Sequence, residues 1–203
     1  MERSTPAPCI SSPNAELSRQ LRPILAELTE LRILALPNKR ITDDDMVYLQ
    51  GLTKLNFLDL SDNQITDTGF EHLKLFTQLQ GVELHHNQIT GSSFKKLKPW
   101  SLLDHIDISH DPVEDAEFAS FIKSLNLNYL RAANTNVGDI SMKYIGKMTE
   151  LIDLRLDETL VTNDGVLQLV ALGKLRTLGL AGTEIDDRRT KIQRFQFYPS
   201  TKR

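Results

Sequence analysis

The chain has 203 residues, 40% of them hydrophobic and 25% charged, with a formal net charge of -3. That balance describes an ordinary water-soluble protein and offers no basic footprint of the kind that nucleic-acid binding requires. No run of ~18 apolar residues is present to span a membrane, and Cys9, the single cysteine, can form neither an internal disulfide nor a thiolate zinc cluster.

Residues 1–13 are rich in Ser and Pro and are expected to form a disordered tail. They lack the apolar stretch of a signal peptide, which together with the lone thiol makes the cytoplasm the expected location. Residues 14–28 carry Leu17, Leu21, Leu25 and Leu28 at helical spacing behind a possible cap at Asn14. They are expected to form an N-terminal capping helix that kinks or restarts at Pro23.

From 29 to 187 the sequence repeats. Leu31, Leu55, Leu79, Leu103, Leu127, Leu151 and Leu175 follow one another at intervals of 24 residues without a slip. Three further columns keep the same phase. One is Leu34, Leu58, Val82, Ile106, Leu130, Leu154 and Leu178; the next is Leu36, Leu60, Leu84, Ile108, Ala132, Leu156 and Leu180. The last is Ile41, Ile65, Ile89, Val113, Val137, Val161 and Ile185. Alternation in x-L-x-L-x puts the leucines on one side of a strand and the x residues on the other. The stretch after each strand then starts a helix, capped by Thr66 or Asp67 in the second repeat. Apolar pairs three apart give the helix its inward face: Met46/Leu49, Phe70/Leu73, Phe94/Leu97, Phe118/Phe121, Met142/Ile145 and Val166/Leu169. Trp100 falls in an apolar column of its own and is expected in the core. Ser124 interrupts that column, and Leu125 is expected to turn inward in its place.

Each copy reads L-x-x-L-x-L-x-x-N, as in Leu55, Leu58, Leu60 and Asn63, followed by turns such as Ile65-Thr-Asp-Thr-Gly69 and Val161-Thr-Asn-Asp-Gly165. This resembles the leucine-rich-repeat family, and within it the short I-T-D-x-G repeats of ribonuclease-inhibitor-like and bacterial proteins. The period is shorter than is usual for ribonuclease-inhibitor-like repeats. The inward polar position holds Lys39, Asn63, Asn87, Asp111, Thr135, Thr159 and Thr183, never cysteine. The resemblance implies an α/β fold: a right-handed solenoid, a horseshoe arc of about seven repeats. A parallel β-sheet lines its concave face and short helices its convex face. It also implies a protein-protein interaction module with no cofactor, because repeats of this family mostly bind other proteins.

Equivalent positions of stacked strands form rows across the concave face. The central row is Ala35, Asp59, Glu83, Asp107, Arg131, Arg155 and Gly179, acidic and then basic. The row at the strand start includes Phe57, His105 and Tyr129; the rows just after the strand include His85, and Asp62, His86 and His110. Stacked carboxylates repel one another, and a cation, a basic peptide or protonated histidine relieves them. The expected partner-binding patch is therefore Asp59, Asp62, Glu83, His85, His86, His105, Asp107 and His110. Phe57 and Tyr129 are its exposed aromatic anchors, and Arg131 and Arg155 take an acidic group of the same partner. An alternative is a metal-binding enzyme or sensor in which Asp62, His86 and His110 hold zinc or iron, although neighbouring strands hold such side chains parallel rather than convergent.

Residues 188–203 leave the repeat and mix six basic residues with Phe195, Phe197 and Tyr198. They form either a cap over the last repeat or a tail that adapts the protein to nucleic acid or an anionic membrane. No phosphate-binding loop, H-E-x-x-H or nucleophile-elbow motif occurs, so a non-catalytic protein is expected.

Overall fold

The computed structural model describes residues 9–10, 21–96 and 100–186. The strands are β1 (Cys9–Ile10), β2 (Ile33–Ala35), β3 (Phe57–Asp59), β4 (Gly81–Glu83), β5 (His105–Asp107), β6 (Tyr129–Arg131), β7 (Asp153–Arg155) and β8 (Thr177–Gly179). They form one parallel sheet in chain order. The register is the repeat itself: Leu58 pairs with Val82, and Val82 with Ile106. Seven of these strands are the ones the spacing predicts. The eighth corrects the reading of residues 1–13 as tail throughout, because Cys9 and Ile10 add in parallel to Ile33 and Leu34. An unpaired strand edge at β2 would expose a row of N–H and C=O groups, and β1 covers it.

The solenoid is an α/β arc with the sheet on one face and helical turns on the other. The helices are α1 (Leu21–Glu27), α2 (Asp67–Phe70), α3 (Asp115–Ile122), α4 (Asp139–Ile145) and α5 (Asn163–Val166). Tighter 3-10 turns run over Asp43–Leu49, Glu71–Leu75, Phe94–Lys96 and Leu167–Ala171. Residues i and i+3 line up in a 3-10 turn and share one face of an α-helix, which explains why the inward pairs recur at a spacing of three. Met46/Leu49, Phe70/Leu73, Phe118/Phe121, Met142/Ile145 and Val166/Leu169 are all buried, as is Phe94. α1 supplies the capping helix, with Leu25 buried and Leu28 packed against the core. Pro23 lies in its first turn, where a missing N–H leaves no intrahelical bond unmade. Residues 14–20, Leu97 and the basic stretch 188–203 lie outside the described residues.

The core is continuous from Leu25 to Leu172. Trp100 is fully buried between Phe70 and Phe121, each with its ring centre 5.8 Å away. Leu125 is buried beside exposed Ser124, as the broken column predicts.

Two polar rows hold coil to coil. In the first, Asn63 Oδ1 accepts from the backbone N–H groups of Lys39 (3.0 Å) and Ile41 (2.9 Å), while its Nδ2 donates to the carbonyls of Leu36 and Leu60. Asn87 repeats the pattern one coil on, donating to the carbonyls of Leu60 and Leu84. Thr135 and Thr159 have only a hydroxyl, which reaches the carbonyls of Ala132 and Leu156 in their own coil. In the second row the aspartate of the I-T-D stretch acts forward. Asp43 binds the N–H and hydroxyl of Thr66, Asp67 those of Thr90 and Ser93, and Asp139 those of Thr162. Thr66 is thus the cap of its own helix, accepting from the Thr68 N–H, whereas Asp67 clamps the next coil. The sequence reading left these two roles undivided.

Candidate functional site on the sheet face

Three-residue strands leave little backbone to carry side chains, and the turn that ends each strand adds more. Asn38, Asp62, His86, His110, Asn134 and Glu158 all have positive φ, between 53° and 62°, and Gly182 follows at 72°. Left-handed backbone costs an L-residue about 1–2 kcal/mol and is tolerated best by Gly, Asn and Asp. The strand periodicity of two therefore fails at this position. A side chain in the turn swings to the side of its predecessor instead of pointing away from it.

The consequence is clearest at His85 and His86. Consecutive in sequence, they bring their Nδ1 atoms to 3.0 Å from each other, with rings edge to face. Asp62, in the same turn one coil back, places Oδ1 3.7 Å from His86 Nδ1. On the other side His110 lies flat on His86, ring centres 4.1 Å apart and planes within 12°. Asn134 Nδ2 meets His110 Nδ1 at 2.9 Å. Burial, and next the charge of His86, hold the His110 imidazole below its usual pKa.

These contacts argue against the metal trio weighed as an alternative from the sequence. Asp62, His86 and His110 do share a row, but parallel stacked rings cannot aim their nitrogens at one ion, and His110 Nδ1 faces Asn134. The groups that do converge are Asp62, His85 and His86, and separately Glu83, His85 and Asp107, each with ligand atoms within 4.8 Å of one another. The expectation that neighbouring strands hold side chains parallel holds for His86 and His110, whereas His85 and Asp62 converge on His86. That convergence arises from the positive-φ turn, which residue spacing does not reveal.

In the central row, Asp59, Glu83 and Asp107 stand side by side, followed by Arg131 and Arg155. The three carboxylates are less exposed to one another than stacking alone implies. Asp59 Oδ1 accepts from the Ser61 N–H (3.0 Å) and hydroxyl (2.6 Å). Glu83 Oε1 meets His105 Nε2 at 2.7 Å, and Asp107 Oδ1 accepts from the Ser109 N–H at 2.8 Å. Asp107 is buried, 7% exposed, so it belongs to the floor of the face rather than to its contact surface. Arg155 Nε donates to Asp153 Oδ1 at 3.3 Å along its own strand.

Of the two aromatic anchors, Tyr129 is exposed. Phe57 is half-buried: its ring lies over Gly81 so closely that a Cβ there would meet Phe57 Cδ2 at 2.7 Å. The absent side chain of Gly81 is what lets the ring lie flat. Phe57, Gly81 and His105 floor an open depression of about 450 Å³ at the strand starts, rimmed by Arg32, Asn56, Gln80 and Asp104. These rim residues were not singled out from the sequence, because they precede the strands and show no regular apolar or charged pattern. His72, on the helical side, contacts the Gln50 amide. No helix among the described residues is long and apolar enough to cross a membrane.

Residues 29–89 match the family model described as leucine rich repeat, while no curated protein matches the chain. Among solved structures the chain is similar to an internalin (InlF) of Listeria monocytogenes, at 28% identity and a TM-score of 0.70, over 83% of this chain and 46% of that one. It thus spans less than half the length of that protein. An internalin C2 of Listeria monocytogenes (21% identity, TM-score 0.57, 81% of this chain and 77% of that one) shares the fold. So does the leucine-rich repeat domain of APL1B (19% identity, TM-score 0.53, 80% and 45%). The family match over residues 29–89, these structural likenesses and the strand, polar rung and helical turn of each coil together give the chain the leucine-rich-repeat fold.

Proposed function

We propose that the protein is a non-catalytic interaction module that holds a partner protein against its sheet face. Leucine-rich repeats typically mediate protein–protein contacts, and the observation that carries the reading here is the lateral order of side chains on β3 to β7. An acidic and imidazole-rich half built on Asp59, Asp62, Glu83, His85, His86, His105 and His110 adjoins a basic half at Arg131 and Arg155. Tyr129 stands at the boundary, and the Phe57 depression opens at the edge of the acidic half. A partner of complementary charge order, basic and then acidic with an apolar side chain for the depression, fits this surface. Charge order of this kind governs orientation and association rate more than affinity. A reducing compartment is part of the proposal and rests on the single Cys9.

The test is quantitative capture from lysate by the wild type, by an Asp62→Ala/Tyr129→Ala variant, and by a Lys74→Ala/Val170→Ala variant on the opposite side. All four substituted side chains are exposed, so folding is retained. The sheet-face variant is expected to lose a partner that the other two retain. Identical capture by all three proteins removes the sheet face as the binding surface.

A further inference from the structure

We propose that Asp62, His85 and His86 form a binding site for a divalent transition-metal ion of the zinc class. The site stands or falls independently of whether the face takes a protein partner.

Zinc bound tetrahedrally at about 2.0–2.1 Å sets its ligand atoms about 3.4 Å apart. His85 Nδ1 and His86 Nδ1 are 3.0 Å apart, and His86 Nδ1 and Asp62 Oδ1 are 3.7 Å apart, so the two separations straddle that edge. The third separation is within 4.8 Å, and a small rotation of the exposed Asp62 carboxylate closes it. Two imidazoles and one carboxylate are borderline ligands that favour zinc, copper, nickel or cobalt over the all-oxygen shells of calcium and magnesium. Solvent supplies the remaining position, because the trio lies on an open face.

The two facing nitrogens point to the same conclusion. Nδ1 against Nδ1 at 3.0 Å is satisfied in neutral imidazoles only when one carries the Nδ1 proton and the other presents a lone pair. Metal binding moves that one proton to Nε2 of the same ring, and both Nδ1 lone pairs then face the ion with no net change in protons. His110, stacked on His86 and engaged by Asn134, fixes the plane of the His86 ring. It is a positioning residue, not a ligand. The alternative trio of Glu83, His85 and Asp107 is disfavoured because Glu83 is already bound to His105 and Asp107 to the Ser109 N–H.

The experiment uses the full chain without a polyhistidine tag, stripped with chelator and titrated with zinc by calorimetry and with cobalt(II) by visible absorption. One equivalent of zinc and the intense bands of low-symmetry cobalt are expected. His85→Asn, His86→Asn and Asp62→Asn should each weaken zinc by about tenfold or more. Asn suits the left-handed turn at 62 and 86, so these variants keep the fold, which circular dichroism checks. His110→Asn should weaken zinc less than any of the three ligand variants does, because it loosens the His86 ring but removes no ligand. The proposal is overturned by the absence of saturable zinc binding, by binding that His85→Asn leaves untouched, or by its loss in His110→Asn alone.

Discussion

Replacing Asp111 by asparagine should stabilise the protein at neutral pH. Asp111 occupies the place that Asn63 and Asn87 hold in earlier coils, and it is 1% exposed. Its Oδ1 accepts from the N–H groups of Asn87 (3.1 Å) and Ile89 (3.0 Å), but Oδ2 is buried with no partner among the described residues. By the repeat, Oδ2 stands where an amide Nδ2 donates to two carbonyls, here those of Leu84 and Ile108. Those carbonyls are acceptors, and an ionised carboxylate has nothing to donate to them. Burial accordingly pushes the Asp111 carboxyl from its ordinary 3.8 up to about 8. The folded protein then keeps a proton that the unfolded chain sheds near pH 4. Its contribution to stability is complete below that pH and is lost as pH rises toward 8, at about 1.4 kcal/mol per unit. By pH 7 the loss reaches about 4 kcal/mol, and water reaching the carboxylate lowers it, so Asp111→Asn should gain about 2–4 kcal/mol there. The assay is urea unfolding from about pH 5 to pH 8, followed by the fluorescence of Trp100, the one tryptophan, which is buried. Wild-type stability should fall across this range more steeply than that of the variant. Parallel curves, or a variant less stable at pH 7, would refute the reasoning.

The Asp67 clamp makes the opposite prediction. Burial raises this carboxyl, but hydrogen bonds from Thr90 and Ser93 outweigh burial and hold it below 3.8. Its contribution is therefore present above about pH 4 and lost as pH falls through the lowered value. Asp67→Ala should cost about 2 kcal/mol at pH 7, a figure discounted for partial exposure, with a smaller loss at pH 3 by the same urea assay. Glu158 has φ of 56°, and Glu158→Asn should raise the unfolding free energy in the urea assay by about 1 kcal/mol, since Asn tolerates this backbone better. Leu130 is fully buried in a central strand, and Leu130→Ala should cost about 2–5 kcal/mol in thermal unfolding.

The solenoid was legible because packing forces the same side chain into the same place in every coil. Leu58, Val82 and Ile106 are interchangeable in volume and lie in register, so their spacing alone predicted the sheet. The convergent histidines were not legible. Their meeting depends on the sign of φ at His86, which neither hydrophobicity nor spacing encodes. Histidine, aspartate and asparagine recurring at the end of each strand were the available signal, since these tolerate left-handed backbone where most residues do not. Thr66 and Asp67 could not be told apart as caps for a related reason. A carboxylate at the start of a helix is a good cap for that helix, and only the stacking of coils shows that it reaches forward instead.

Within one repeat protein, each coil serves as a control for the next. A position occupied alike in every coil reports what stacking needs, and a departure reports a need of another kind or a local cost. Asp111 departs from the asparagines before it and leaves an oxygen unpartnered. Gly81 departs from the larger residues of the strand-start row and lets Phe57 lie flat. His85, His86, His105 and His110 stand in two adjacent coils, at places where no other coil has a histidine. All of these fall between residues 81 and 111. A solenoid built from interchangeable units gains nothing in packing from concentrating exceptions in two neighbouring coils. The imidazole-rich part of the face and two of the three proposed zinc ligands, His85 and His86, lie on that stretch.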